Sequence, residues 1–365
     1  MHPIAEPSLL LNTSICKANI TKMAARIRGW QGDFRPHFKT HQSAKIGQWF
    51  RDAGVERITV SSFKMAHYFA QHGWKDITVA LTCTPIHTAA INQLAATINL
   101  NILIEDVASI QALEDHLENP VGVFIKADTG YNRTGIDAED FITLKKILAH
   151  LKDTKKLIFI GFLTHAGNTY HARNMAQIKK VVDPALEKML ALKTFLRKEF
   201  PLMELSWGDT PSCSIYNDFY GINEYRPGNF VFYDYTQVQI GSCSMNDVAV
   251  CMAAPVLATH PQRNEIVVHA GAIHLSKEYI QLPNGNISYG KVVKINHALE
   301  WDTHDIIGEV KSLSQEHGVI SANKKIFAHI QPGDILGIIP VHSCLTAHLM
   351  KHFLTTEGNF IEMMK

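Results

Sequence analysis

From Phe34 to Arg226 the chain alternates between short apolar runs of strand length and amphipathic runs of helical spacing. The strand-like runs are Phe34–Phe38, Arg57–Val60, Asp76–Ala80, Leu100–Glu105, Val121–Ala127, Leu157–Leu163, Glu204–Trp207 and Asn223–Arg226. Between them lie helical patterns at Ser43–Ala53, Phe63–His72, Ile86–Thr97, Val107–Leu117 and Ala138–Leu151, and a long one near Met175–Phe200. Strict alternation of this kind argues for parallel strands joined by crossover helices. About eight such units in roughly 200 residues is the count of a TIM (β/α)8 barrel. An open doubly wound sheet is the competing α/β architecture. It would carry a glycine-rich phosphate loop after its first strand, and Phe34–His41 contains no glycine.

The pattern changes at Gly228. Strand-like runs then dominate: Phe230–Tyr235, Val248–Ala258, Glu265–Ala270, Tyr279–Gln281, Lys291–Ile295, Asp305–Val310, Asp334–Ile339 and His348–Thr355. Pro283-Asn284-Gly285 marks a turn, and Pro255 is expected to break its run or place it at a sheet edge. The expected organisation is an N-terminal segment, 1–20, that joins the β domain, a barrel over 21–245, and a C-terminal antiparallel β domain over 246–365.

Composition narrows the classes of function. With 365 residues, 46% of them hydrophobic, the chain can bury a large core. A formal net charge of +1 gives no footprint for nucleic acid or an anionic membrane. No run approaches the ~20 apolar residues of a membrane span, and the N-terminus lacks a signal-peptide pattern. Six scattered cysteines with no CxxC fit a reduced, cytoplasmic protein. Twenty histidines favour acid–base or metal chemistry without locating it.

In such a barrel the active site lies at the C-terminal ends of the strands. Lys39, Thr40 and His41 follow the first strand, and Asp128–Gly135 (DTGYNRTG) follows the fifth. His165, Gly167, Asn168 and Tyr170 follow the sixth, Gly208–Ser212 the seventh, and Arg226–Asn229 with Tyr233 and Asp234 the eighth. Singly, each has an ordinary structural reading: a solvated lysine, a loop-bracing arginine, a satisfied core histidine, a plain turn. Together they describe a mouth suited to a phosphate, a carbonyl-reactive lysine and a flat ring. Partial burial at a strand end would depress the pKa of Lys39 and make it a nucleophile or base. Near the C-terminus, His342 and Cys344 stand two apart. On a strand they would face one side as a nitrogen and sulfur pair suited to zinc.

These motifs resemble the fold-type III pyridoxal 5'-phosphate (PLP) enzymes of the alanine racemase-like superfamily. The nearest likeness is to the branch of D-threonine aldolase and D-serine dehydratase. Arg35–His41 resembles the branch's RPHxKTH, Asp128–Gly135 its DTGxxRxG, and Thr164–Tyr170 its THxGxxY. Gly208–Ser212 is similar to its GSTP loop, Arg226–Asp234 to its RPGxYxFxD, Gln315–Gly318 to its EEHG, and His342–Cys344 to its HxC metal motif. Seven motifs in order over roughly 300 residues weigh far more than any one.

The resemblance implies that Lys39 carries PLP as a Schiff base and Arg133 binds its phenolate oxygen. It implies that His165 stacks on the ring, Tyr170 approaches the pyridine nitrogen, and Gly208, Asp209, Thr210 and Tyr233 hold the phosphate. His342 and Cys344 would bind a divalent metal, zinc first. Asp209 departs from the family's Ser or Gly, and a carboxylate beside a phosphate is unfavourable unless it turns away. The activity implied is a lyase acting on β-hydroxy D-amino acids. Dehydration to a keto acid and ammonia is preferred because of the HxC thiolate. Aldol cleavage to glycine and an aldehyde is the alternative, and racemization or a non-enzymatic PLP-binding role are further ones. A homodimer is implied as well.

Overall fold

The first strand is cut short by its own proline. Asp33–Phe34 pairs with Glu224–Tyr225, but Pro36 has no N–H to give, and its carbonyl instead accepts from Thr59 N at 2.9 Å. Phe38 N donates to Thr59 O on the same side, while Arg35 N and His37 N donate to Tyr225 O and Pro227 O on the other. The segment is therefore bonded on both flanks, and the bridge from His37 to Thr59 closes the sheet. The computed structural model describes residues 4–365. In it the parallel strands run in the order Asp33–Phe34, Glu224–Tyr225, Glu204–Trp207, Leu157–Thr164, Val121–Asp128, Asn99–Ile104, Asp76–Thr82 and Arg57–Val60. This is the expected eight-stranded parallel barrel.

Helix starts follow capping chemistry. Ser62, Asp106, Asp140 and Asn174 each accept a backbone N–H three residues on and begin Phe63–Gln71, Val107–His116, Phe141–Lys152 and Met175–Leu196. The helix expected over Ile86–Thr97 is split into a 3-10 turn, Pro85–His87, and the helix Thr88–Ala95. One cluster of the barrel core is Leu103, Phe124 and Leu163, with Ala80 and Ile160 packed against it. At the strand starts Arg35 is buried and paired with Asp76 and Glu224. Among the described residues, no helix is long and apolar enough to cross a membrane.

The chain divides into two compact units. One comprises Lys22–Lys39 and Gly47–Gly228, the other the chain up to Thr21, Thr40–Ile46 and Asn229–Lys365. The division falls at Gly228, earlier than the expected 245. In the second unit six antiparallel strands form a closed ring: Val250–His260, Glu265–His269, His317–Ala322, Trp301–Leu313, Gly290–Ile295 and Ile335–Pro340. Ser8–Leu11 pairs with Val250–His260 on one side and with His352–Thr355 on the other. Of the expected segment 1–20, residues 1–3 lie outside those described.

Three local expectations are corrected. Pro255 does not break its strand. It falls between the last pair with Ser8–Leu11 (Ser8 with Ala253) and the first with Glu265–His269 (Val256 with Val268), where that flank changes partner. Phe230–Tyr235 is not a strand but a 3-10 turn, Asn229–Val231, leading to the helix Tyr235–Ile240 capped by Asp234. A fully buried apolar run carries no periodicity to tell strand from helix. The expected strand His348–Thr355 is a helix, Ser343–Met350, that stops at left-handed Lys351 before the strand His352–Thr355.

Candidate active site

In the barrel unit the loop after the fifth strand is organised by Asp128. Its carboxylate accepts from Gly130 N, Tyr131 N and Asn132 N at 2.8–2.9 Å. Gly130 and Gly135 take φ of +116° and +110°, which only glycine adopts without strain. The loop carries Arg133 outward, its guanidinium 5.1 Å from the centre of the Tyr131 ring. That ring meets His165 edge-on with centroids 5.5 Å apart. Gly167 leaves room for the Tyr131 ring, which a Cβ there would meet at 2.4 Å and displace.

His165 Nδ1–H donates to Gly208 O at 2.6 Å, which fixes the tautomer and leaves the Nε2 lone pair free of the ring proton. Burial pushes its pKa down to about 3, helped by the charges of Lys39, Lys126 and Arg133 and opposed by the Gly208 bond. Burial likewise holds His37 well below its ordinary value, with Lys39, Arg226, His165 and Arg133 adding to the effect. Tyr170 lies in the turn Gly167–His171, its ring 6.3 Å from that of His165.

Asp209 turns away from the mouth. Its carboxylate caps Thr210–Ile215 through Ser212 N at 2.7 Å and also accepts from Ser212 Oγ, Trp207 Nε1 and Thr169 Oγ1. That set absorbs the side chain that sat awkwardly beside a phosphate. Thr210 is buried and accepts from Gly228 N. Gly208 lies against Arg226, whose guanidinium would be 2.9 Å from a Cβ.

Lys39 itself is exposed, which corrects the expectation of partial burial. The buried lysine is Lys126, on the fifth strand, with a pKa lowered to about 8, chiefly by burial and then by Arg226 and Arg133. Sequence reasoning placed Arg226 at the mouth without a role there, and missed Lys126. The available signal was a cation inside the apolar run VGVFIKAD. Lys39, Lys126, Arg133 and Arg226 thus all act on His37 or His165, and Asp209 is committed elsewhere. A mouth with this surplus of positive charge suits an anionic, phosphate-bearing ligand such as PLP.

The second unit holds the expected metal pair and Tyr233. His342 and Cys344 do not share a strand face. They are the N-cap and the second residue of the helix Ser343–Met350. Cys344 is buried, with Thr40 Oγ1 at 3.2 Å and Asn229 Nδ2 at 3.6 Å from Sγ. Asp234 accepts from Asn229 Nδ2 at 2.7 Å and Ser343 N at 3.0 Å. Burial raises its pKa, and the charge of His342 opposes this. An imidazole and a thiol two residues apart at one helix start are a donor set of the kind that a borderline divalent metal takes. Tyr233 is buried at a left-handed φ of +50°, a strained position for a bulky residue.

Residues 11–236 match the family model of the alanine racemase N-terminal domain. The chain belongs to that family. Residues 249–356 match the putative serine dehydratase domain. A D-serine dehydratase of Dictyostelium discoideum is 27% identical over 388 aligned residues, covering 98% of this chain and 95% of that one. The solved D-threo-3-hydroxyaspartate dehydratase from Delftia sp. HT23 superposes with a TM-score of 0.89 at 26% identity, covering 98% of this chain and 97% of that one. A cysteine-to-alanine variant of a D-threo-3-hydroxyaspartate dehydratase, described as the metal-free form, matches at 0.90 and 25%, covering 98% and 97%.

Proposed function

We propose that the chain is a PLP- and metal-dependent lyase that converts a β-hydroxy D-amino acid, D-serine foremost, into a keto acid and ammonia. The observation that carries this reading is the cationic cluster around His165. The similarity to two D-hydroxyamino-acid dehydratases over nearly the whole chain supports it. Lys39 is the residue to carry PLP, Arg133 to meet the phenolate oxygen, His165 to stack on the ring and Tyr170 to approach the pyridine nitrogen. Gly208, Thr210, Tyr233 and the Asp209 backbone would hold the phosphate. PLP, when bound, supplies an electron sink for charge at Cα.

Lys39 Nζ moves the Cα proton. His165 keeps its proton on Nδ1 toward Gly208, so its Nε2 stays neutral. Lys126 and Arg226 keep the surroundings cationic. His342 and Cys344 would hold the metal, zinc by donor chemistry, and that ion would supply a Lewis acid for a departing β-hydroxyl. Loss of the Cα proton and the hydroxyl leaves an enamine, which water converts to keto acid and ammonia. We extend the reading to a homodimer in a reduced cytoplasm, which suits six scattered cysteines with no CxxC.

The test is incubation with D-serine and D-threonine. Keto acid with ammonia is expected, and glycine with an aldehyde would replace dehydration by aldol cleavage. An absorption band near ~420 nm, absent in Lys39→Ala, is the expected mark of the Schiff base.

A further inference from the structure

We propose a second divalent-metal site, built from His269, His274 and Glu316 and separate in sequence from His342 and Cys344. One ligand atom from each of the three lies within 4.8 Å of the others. His269 Nε2 is 3.4 Å from Glu316 Oε2. Two donors each about 2.05 Å from a tetrahedral zinc stand about 3.3 Å apart, so this pair is already at ligand spacing. The other nitrogen of the same ring, Nδ1, is 3.4 Å from Glu6 Oε2. A carboxylate on the far nitrogen of a ligand imidazole is the arrangement that fixes its tautomer and raises its basicity.

The three ligands come from elements fastened to one another. His269 ends the strand Glu265–His269 and pairs with His317, next to Glu316. His274 lies in the turn Ala272–Leu275, whose Ala272 N and Ile273 N donate to Ser314 O and Gln315 O at 2.8 and 3.3 Å. Gly271 packs flush on that hairpin, since a Cβ there would lie 2.1 Å from Gln315 O. A site whose supports are fixed in this way loses little freedom when it is filled. Gly271 N donates to His274 Nδ1 at 3.1 Å. A metal on His274 takes the place of that bond or of the proton it fixes on Nε2.

Two imidazoles and one carboxylate select a borderline first-row cation, zinc being the best match, over magnesium or calcium. All three side chains are partly exposed, so the site opens to solvent. The competing arrangement is His269 held between the carboxylates of Glu6 and Glu316 with no metal.

Equilibrium dialysis of the chelator-stripped full-length protein against zinc chloride, with bound zinc counted by atomic emission, separates the two. The His342→Ala/Cys344→Ser double variant is expected to keep one zinc per chain. His274→Ala and Glu316→Gln are expected to lose that equivalent, and Glu6→Gln to hold it about 10- to 100-fold more weakly. The thermal midpoint of the double variant should rise with added zinc, and that of Glu316→Gln in the same background should not. Glu316→Gln is a surface exchange of similar shape, so it stands as the test if His274→Ala fails to fold. Equal zinc uptake by the double variant with and without Glu316→Gln overturns the proposal. So does a double variant that binds none.

Discussion

Lys126 is the residue whose behaviour departs furthest from its sequence appearance. It is buried in a strand, and its pKa falls from 10.5 to about 8 because burial and the guanidinium groups of Arg226 and Arg133 disfavour its charge. A folded pKa below the unfolded one means that the unfolded chain binds more protons between these values. Stability should therefore rise with pH from about 8 toward 10, as the penalty on the charged amine is relieved. The full shift, already net of the opposing charges of Asp128 and Glu105, corresponds to roughly 3 kcal/mol by linkage arithmetic. Urea unfolding of the wild type and Lys126→Met at pH 7 and pH 10 checks this. The wild type should gain on the variant as pH rises, and a constant difference would refute the assignment. The cationic residues at strand ends were legible because the βα rhythm shows where strands stop. Lys126 was not, because one cation in an apolar run looks like noise until a barrel interior surrounds it. Asp209 was legible only as a conflict with phosphate, although Ser212 three residues on carries the capping signal that turns its carboxylate inward.

At the scale of elements, the DTGYNRTG loop shows what two glycines can specify. Gly130 and Gly135 both have left-handed φ, but they differ in surroundings. A Cβ at Gly130 meets nothing within 4 Å, whereas one at Gly135 would lie 2.9 Å from Asp128 N and 3.0 Å from Lys126 O. Gly135→Ala therefore adds a backbone clash to the strain. It should cost about 1–3 kcal/mol, and Gly130→Ala about 1 kcal/mol. Urea midpoints of the two variants test the order, and equal losses would show that φ alone decides. The element around His342 and Cys344 was harder to read. The apolar and β-capable residues of VHSCLTAHLM allow strand or helix, and the helix is settled by what surrounds it. Asp234 accepts the Ser343 N–H at its start, and Lys351 ends it in the left-handed region. The groups around this helix start, Thr40 and Asn229 at Cys344 and Asp234 at Ser343 N, come from residues distant in sequence, which no local pattern shows.

At the scale of the whole molecule, the barrel was legible because its signal repeats eight times. The second unit was not fully so, because its sheet is assembled from both ends of the chain. Ser8–Leu11 sits inside that sheet, with Leu9, Leu10 and Leu11 fully buried. Leu10 pairs with Cys251 on one side and Leu354 on the other, and packs with Ala253 and Leu299. Removing this strand would leave two neighbouring strands with unpaired N–H and C=O groups and an apolar face uncovered. Deletion of residues 1–12 should therefore cost far more than a terminal truncation normally does, appearing as insoluble protein or loss of cooperative unfolding. Leu10→Ala offers a graded version. It keeps the backbone ladder and leaves a cavity, so it should lower stability by about 2–5 kcal/mol in urea unfolding. A deletion variant that stays soluble and unfolds at the wild-type midpoint would show that the N-terminal strand is dispensable. A Leu10→Ala loss under about 1 kcal/mol would place it at a frayed edge instead of in the core.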